Sequence, residues 1–318
     1  MFGRRADGVR VKDLPIIDKA MPYFMPERSD ACNLYEEPLN VGNIDKFVIE
    51  QKKATGIHYT YTEILMGACL RMLYQRPKTN RFIHNCMVFQ RKYISISISV
   101  KKKLTDDGEE ITLKMYFTGR ESLKEIKEKF EAELAKNSIA AEKDHKTTRF
   151  AGVLAKMPNW LYKFVLAVLR FGDKHGMLPR KLLDVSPFHT SIFITDLRSI
   201  KLNSLYHHLY NFGNTTIFAA MGKLYYAPVA NRSGEISVAK QCDMRFTLDE
   251  RVCDGLYYGN SLRVLMKNLE NPELMLESLP EPELEGKALK KKQKHDKKQA
   301  KKGKKQAKRE EKKAKKNK

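Results

Sequence analysis

The residues best equipped for chemistry crowd into one stretch, Asp249-Glu250-Arg251-Val252-Cys253-Asp254-Gly255, where a strand-like run ends and a helical one opens. A carboxylate in such a turn can act as a general base if burial raises its pKa toward that of the proton it removes. It can equally pair with a neighbouring cation, and Glu250 next to Arg251 is open to both roles. Cys253 has no cationic neighbour except Arg251 to favour a thiolate, so it reads as a buried thiol. Asp254 stands just before the helix, placed to accept the amide of Tyr257 or its neighbour and to complement the helix dipole. Upstream, His189, His207 and His208 flank Thr195, and one of them could bring a base from another wall; otherwise they are exposed or capping side chains. Common catalytic patterns are missing: the chain has no GxGxxG, no Walker loop, no HExxH and no GxSxG.

Alternating helices and strands must position these groups. Asn43 to Ala54 puts Ile44, Phe47 and Val48 on one face, with Asn43 as its cap and Gly56 at its end. Thr62 to Tyr74 is a second helix, stopped by Pro77. The period then changes to two. Tyr93 to Val100 alternates Ile94, Ile96, Ile98 and Val100 with Ser95, Ser97 and Ser99, giving a strand whose serine face is half-exposed or walls a polar cavity. Ile111 to Phe117 is another strand after the Asp106-Asp107-Gly108 turn, and Arg120 to Asn137 an amphipathic helix starting near Gly119. His145 to Thr148 is a polar link. Trp160 to Lys174 is so apolar a helix that it must be buried or cover a pocket. Strands follow at Thr190 to Leu197, Thr215 to Met221 and Glu235 to Leu248, then a last helix from Gly255 to Leu269, ended by Asn271-Pro272. The order predicts an α/β or α+β protein with a mixed sheet.

The segment from Met244 to Leu276, MRFTLDERVCDGLYYGNSLRVLMKNLENPELML, resembles the catalytic-domain signature of the dihydrolipoyl acyltransferase component of 2-oxoacid dehydrogenase complexes. That family has Asp-His-Arg-x-x-Asp-Gly at a strand-to-helix turn and ends its last helix near "LENPELLL". Upstream, Pro22-Tyr23-Phe24 looks like its opening strand, Asn43 to Ala54 like its first long helix, and Pro77-Lys78-Thr79-Asn80 like its "P-x-x-N" turn. Phe89 to Val100 is similar to its "hkyxnIgvAV" strands. Ile192 to Leu197 is similar to its "TISNLG", with Thr195 where the family has a hydroxyl. The resemblance runs from about Pro22 to Leu276. It implies a chloramphenicol-acetyltransferase-like fold and a homotrimer with active sites between subunits. It also implies acyl transfer from acyl-CoA, with Thr195 donating to the oxyanion of the tetrahedral intermediate and Asp254 as a structural partner holding the turn.

The sequence departs from this pattern in three places. The family's general-base histidine is Glu250 here; Lys101 to Glu110 replaces its "GLVVP"; and Thr148 to Asp184 is a hydrophobic insertion that it lacks. With no lipoyl or peripheral-subunit-binding segment before Pro22, a stand-alone acyltransferase-like protein without its own lipoyl group is expected. Glu for His changes the chemistry. An imidazole near pKa ~6.5 sits about 2 units below a thiol near ~8.5, a carboxylate near ~4.3 about 4 units below it. The extra ~3 kcal/mol is about a hundredfold in rate unless burial compensates. Two readings therefore remain, an active acyltransferase with Glu250 at the reacting atom and a pseudoenzyme that keeps the fold as a CoA-binding or trimeric scaffold.

Charge divides the chain. Of 318 residues, 60 are basic and 38 acidic, but residues 286–318 hold 18 of the bases and 3 of the acids. That tail therefore carries +15 of the net +22, leaving residues 1–285 as a near-balanced catalytic-type domain. With almost no large apolar residue, the tail is expected to be disordered. It has no aromatic residue for base stacking, so a polyanion such as RNA, a ribosome or anionic lipid would be held through phosphates alone; the tail could then be the functional part and the domain its platform, or it could serve only solubility. Five cysteines without a CxxC pair imply reduced thiols in a cytoplasmic protein and no zinc site. No run approaches the roughly 20 apolar residues of a membrane span.

Overall fold

The computed structural model describes residues 5–101, 110–139, 157–231 and 233–281. In chain order the first half runs β1 (Gly8–Arg10), α1 (Ile16–Phe24), β2 (Cys32–Asn40), α2 (Gly42–Thr55), α3 (Tyr61–Gln75), β3 (Arg81–His84), β4 (Met87–Arg91), β5 (Ile94–Lys101) and β6 (Glu110–Phe117). The second half runs α4 (Leu123–Ile139), α5 (Asn159–Lys174), α6 (Arg180–Val185), β7 (Ile192–Asp196), β8 (Ile217–Ala230), β9 (Ile236–Asp249) and α7 (Gly255–Glu270). These elements belong to one compact unit, Met1–Leu279. The turn at 106–108, the link at 145–148 and the tail at 286–318 lie outside the described residues.

Six strands form a mixed sheet in the order β2-β9-β8-β7-β5-β6, and β1-β4-β3 form a small second sheet. β7 runs parallel to both β5 and β8, while the other pairings are antiparallel. Alternation decides which side chains meet. Ile96 and Ile98 of β5, Ile192 and Ile194 of β7, Ala219 and Met221 of β8 and Met244, Phe246 and Leu248 of β9 enter one core. α3 joins that core and is buried from Glu63 to Leu73. Thr60 and Glu63 close a capping box at its start, so the helix enters the interior with its first amides satisfied. Truncating a core side chain such as Leu65, which is fully buried, would cost about 2–5 kcal/mol.

The structure corrects several expectations. Pro22-Tyr23-Phe24 closes α1 instead of forming a strand, with Pro22 inside that helix. β2 went unseen because CNLYEEPLN carries two acids and a proline, which an edge strand accommodates. α2 starts after Val41, and Asn43 instead donates its side-chain amide to the Glu270 carbonyl. Ser95 and Ser97 are fully buried. The segment before β7 covers them: Thr190 Oγ1 donates to the Ser95 carbonyl at 3.0 Å, the Ser95 amide bonds Ser191 Oγ at 3.0 Å, and Ser97 Oγ donates to the Pro187 carbonyl at 3.2 Å. The serine face is therefore closed over at Ser95 and Ser97 and half-buried at Ser99. α5 reverses its expectation most fully, since Trp160, Phe164, Val168 and Phe171 all face solvent.

Candidate active site

The 249–255 turn works by alternation. Asp249, the last residue of β9, is fully buried and accepts both arms of the Arg251 guanidinium, each at 2.8 Å. Arg28 approaches the same carboxylate at 3.6 Å. Burial opposes the charge on Arg251, but the hydrogen bonds and charge of Asp249 outweigh it and raise the guanidinium pKa. Arg28 has the weaker pairing, and burial, with Arg251 beside it, lowers its pKa. Arg251 also bonds the Met25 and Pro26 carbonyls at 2.8 and 3.1 Å, which fastens the chain just after α1. Arg251 is thus committed to Asp249, not to Glu250.

Glu250 faces the other way. Its amide donates to the Ala31 carbonyl at 3.0 Å, while its half-buried carboxylate has no hydrogen-bond or ion-pair partner among the described residues. It lines a cavity of about 240 Å³ with Ile17, Asp18 and Met21 of α1, Asn33 of β2, and Cys253 and Asp254. Asp254 accepts the Tyr257 amide at 2.8 Å and so caps α7. No ion pair of Asp254 is present among the described residues, so its structural role is that cap. Cys253 is buried, and that burial, with Asp254 adjacent, pushes its thiol up to about 12, which leaves it a poor nucleophile at neutral pH. All five cysteines are free thiols.

Thr195 lies on β7, away from this cavity. It pairs with Ala220 of β8, which pairs with Arg245 of β9. Glu250, one residue past the end of β9, therefore stands five residues beyond Arg245 and two strands across, roughly 19 Å from Thr195 at about 3.4 Å per residue and 4.8 Å per strand. The histidines separate likewise. His207 stacks on Phe218 at 4.2 Å, and Phe218 pairs with Phe193, two residues before Thr195, so this ring lies on the Thr195 face. His208 packs edge-on against Tyr210. His189 is fully buried elsewhere, its Nδ1 2.7 Å from Ser186 Oγ and its Nε2 3.2 Å from Asp173. Asp173 also meets His84 at 3.3 Å and Arg5 at 2.9 Å. Burial opposes its charge, but hydrogen bonds from His189 and His84 prevail and hold its pKa well below the carboxylate range.

The α1 and β2 contributions to the cavity are not legible in the sequence. Asp18 in the first turn of an apolar-faced segment was a signal for α1, masked by Pro22. No group of three or more His, Cys, Asp or Glu among the described residues is arranged to hold a metal.

Comparison with known proteins follows the same outline. Residues 209–277 match the family described as 2-oxoacid dehydrogenases acyltransferase (catalytic domain). A probable dihydrolipoamide acetyltransferase from Listeria monocytogenes 4b F2365 is 16% identical, with 86% of this chain and 99% of that chain covered and a TM-score of 0.50. The cubic core of the pyruvate dehydrogenase multienzyme complex is 15% identical over 84% of this chain and 95% of that one, with a TM-score of 0.51. Azotobacter vinelandii dihydrolipoamide acetyltransferase, whose serine, histidine and asparagine have been investigated in catalysis, gives the same identity, coverages and TM-score. No curated protein matches this sequence. The chain has the acyltransferase catalytic-core fold, with a mixed sheet flanked by helices.

Proposed function

We propose that this protein is a CoA-dependent acyltransferase whose site is completed between subunits, with Glu250 of one chain facing Thr195 of another in a homotrimer. The carrying observation is the unpartnered Glu250 carboxylate in its cavity, backed by the locked Asp249–Arg251 pair. A base and an oxyanion donor must both reach the reacting centre within about 3 Å. Two groups roughly 19 Å apart across one sheet meet that condition only if a second chain supplies one of them. The cavity's surroundings support an interface there: Ile16, Ile17, Leu34 and Leu256 are 88%, 62%, 59% and 73% exposed.

In this reading an acyl-CoA thioester occupies the cavity; Glu250 removes the proton of the acceptor as it bonds to the acyl carbon, the Thr195 hydroxyl donates to the oxyanion, and collapse of the tetrahedral intermediate breaks the C–S bond, the CoA thiolate taking the proton back from Glu250. Asp254 acts by holding the start of α7. A second reading, the CoA-binding scaffold, is favoured by the identity of the residue: a carboxylate at Glu250 is a weaker base toward a thiol than an imidazole would be. Turnover decides between them. Acetyl-CoA with thiol, amine and hydroxyl acceptors should give product that Glu250→Gln abolishes. An inactive wild type combined with a gain of activity in Glu250→His would overturn the enzyme reading, and CoA binding by calorimetry without turnover would establish the scaffold. We further propose that the Lys-rich 286–318 tail binds phosphate-bearing polyanions in a cytoplasmic setting. Truncation after Glu285 should abolish low-salt retention on RNA, and unchanged retention would refute it.

A further inference from the structure

We propose that α5 is a membrane-surface helix, which docks the protein on an anionic lipid bilayer by inserting a stripe of four exposed side chains. Trp160, Phe164, Val168 and Phe171 are 70%, 62%, 53% and 60% exposed. At 100° per residue they fall within about 80° of one another, a single line along the helix. Lys163, Arg170 and Lys174 lie in the adjoining arc of about 40° and are exposed too. Leu161, Val165 and Leu169, on the next arc round, are half-buried. A helix with an aromatic stripe outward and cations along its border has the pattern of an interfacial helix, with the rings below the headgroups and the cations among them.

The helix is held in this pose from its last turn. Asp173 is clamped by Arg5, His84 and His189, the Asp173 carbonyl accepts Arg5 Nη1 at 2.7 Å, and the Met177 amide bonds the Gly172 carbonyl at 2.7 Å. A buried ionic anchor at one end thus fixes which face of α5 is presented outward.

Area and charge select the occupant. With aromatic side chains of about 150–250 Å² each, the stripe exposes roughly 450 Å². One side of a stable protein–protein interface buries about 800 Å², which a second copy of this chain would not find here. A second copy would also set the exposed Lys163, Arg170 and Lys174 against their own counterparts. An anionic bilayer supplies opposite charge and needs no matching shape. Membrane attachment by a modest apolar insertion becomes firm when a polybasic segment adds to it, and residues 286–318 carry +15. At 16 residues α5 is about 24 Å long, too short to span a hydrocarbon core of about 30 Å.

Trp160 is the chain's single tryptophan, so its fluorescence reports on this helix alone. Full-length protein is titrated with vesicles of phosphatidylcholine containing 30 mol% phosphatidylglycerol, and with phosphatidylcholine alone. The expected result is co-sedimentation with the anionic vesicles, a blue shift of Trp160 emission and its quenching by lipids brominated near the headgroup. Phe164→Glu/Phe171→Glu, at exposed positions, should retain the fold by circular dichroism and lower vesicle affinity at least about tenfold. Three results would overturn the proposal: no sedimentation; sedimentation with unshifted Trp160 emission and unchanged affinity of the double variant, which leaves tail electrostatics alone; or a blue shift that grows with protein concentration without lipid, which assigns the stripe to a second copy.

Discussion

Replacing Arg251 with methionine tests the turn at its base. The variant removes two 2.8 Å bonds to the fully buried Asp249 and the bonds to the Met25 and Pro26 carbonyls, leaving the carboxylate with the residue-251 amide at 3.2 Å and Arg28 at 3.6 Å. Breaking a buried pair by deleting one partner costs about 3–5 kcal/mol, and two backbone acceptors left without a donor add about 1 kcal/mol each. The remaining Arg28 offsets part of this, so the expected net loss is about 3–4 kcal/mol. Asp249→Asn should cost more, because it strands two buried guanidiniums, where Arg251→Met strands one carboxylate that keeps a cation nearby. Equilibrium urea unfolding followed by circular dichroism measures both. Because Arg251 fastens the end of α1, which carries Ile17, Asp18 and Met21, Arg251→Met should also weaken ligand binding in the Glu250 cavity at denaturant concentrations where the fold persists. A loss below about 1 kcal/mol, or Asp249→Asn costing less than Arg251→Met, would refute the account of this pair as the structural base of the site.

Lys114 predicts a pH dependence. Its ammonium bonds the Leu183 and Ser186 carbonyls at 2.7 and 3.0 Å, and burial, with Arg91 nearby, lowers its pKa to about 7. The unfolded lysine titrates near 10.4, so between these values the unfolded state binds the extra proton and stability rises with pH. From pH 7 to 9 the wild type should gain about 2 kcal/mol from this group, and Lys114→Met should lose that slope in urea titrations; a parallel slope would refute it. Gly222 sits at the irregularity between Met221 and Leu224, where an added Cβ would lie 2.3 Å from the Ser204 amide nitrogen. Gly222→Val should therefore cost about 2–3 kcal/mol and speed hydrogen exchange at 202–208, the segment carrying His207. Unchanged protection there would contradict the close packing.

Local pattern was enough for much of this protein. The isoleucine–serine alternation of β5 placed a core face before any coordinates, because strand period ties alternate residues to one side. The 249–255 turn and the cap at Asp254 were likewise legible, since both depend on neighbours in the chain. The partners were not. Arg251 chose Asp249 over Glu250 because strand-end geometry aims alternate side chains to opposite sides, one inward and one into the cavity. Thr195 and Glu250 share a proposed role in sequence, yet the register of three strands sets them roughly 19 Å apart. Composition likewise made α5 look like an interior helix. Its exposure was decided by where Asp173 finds Arg5, His84 and His189, contacts between residues up to 168 positions apart that no local window holds. Sequence determined which elements form and which face of each is apolar; only tertiary structure decided what each face meets, because that depends on distant chain segments converging.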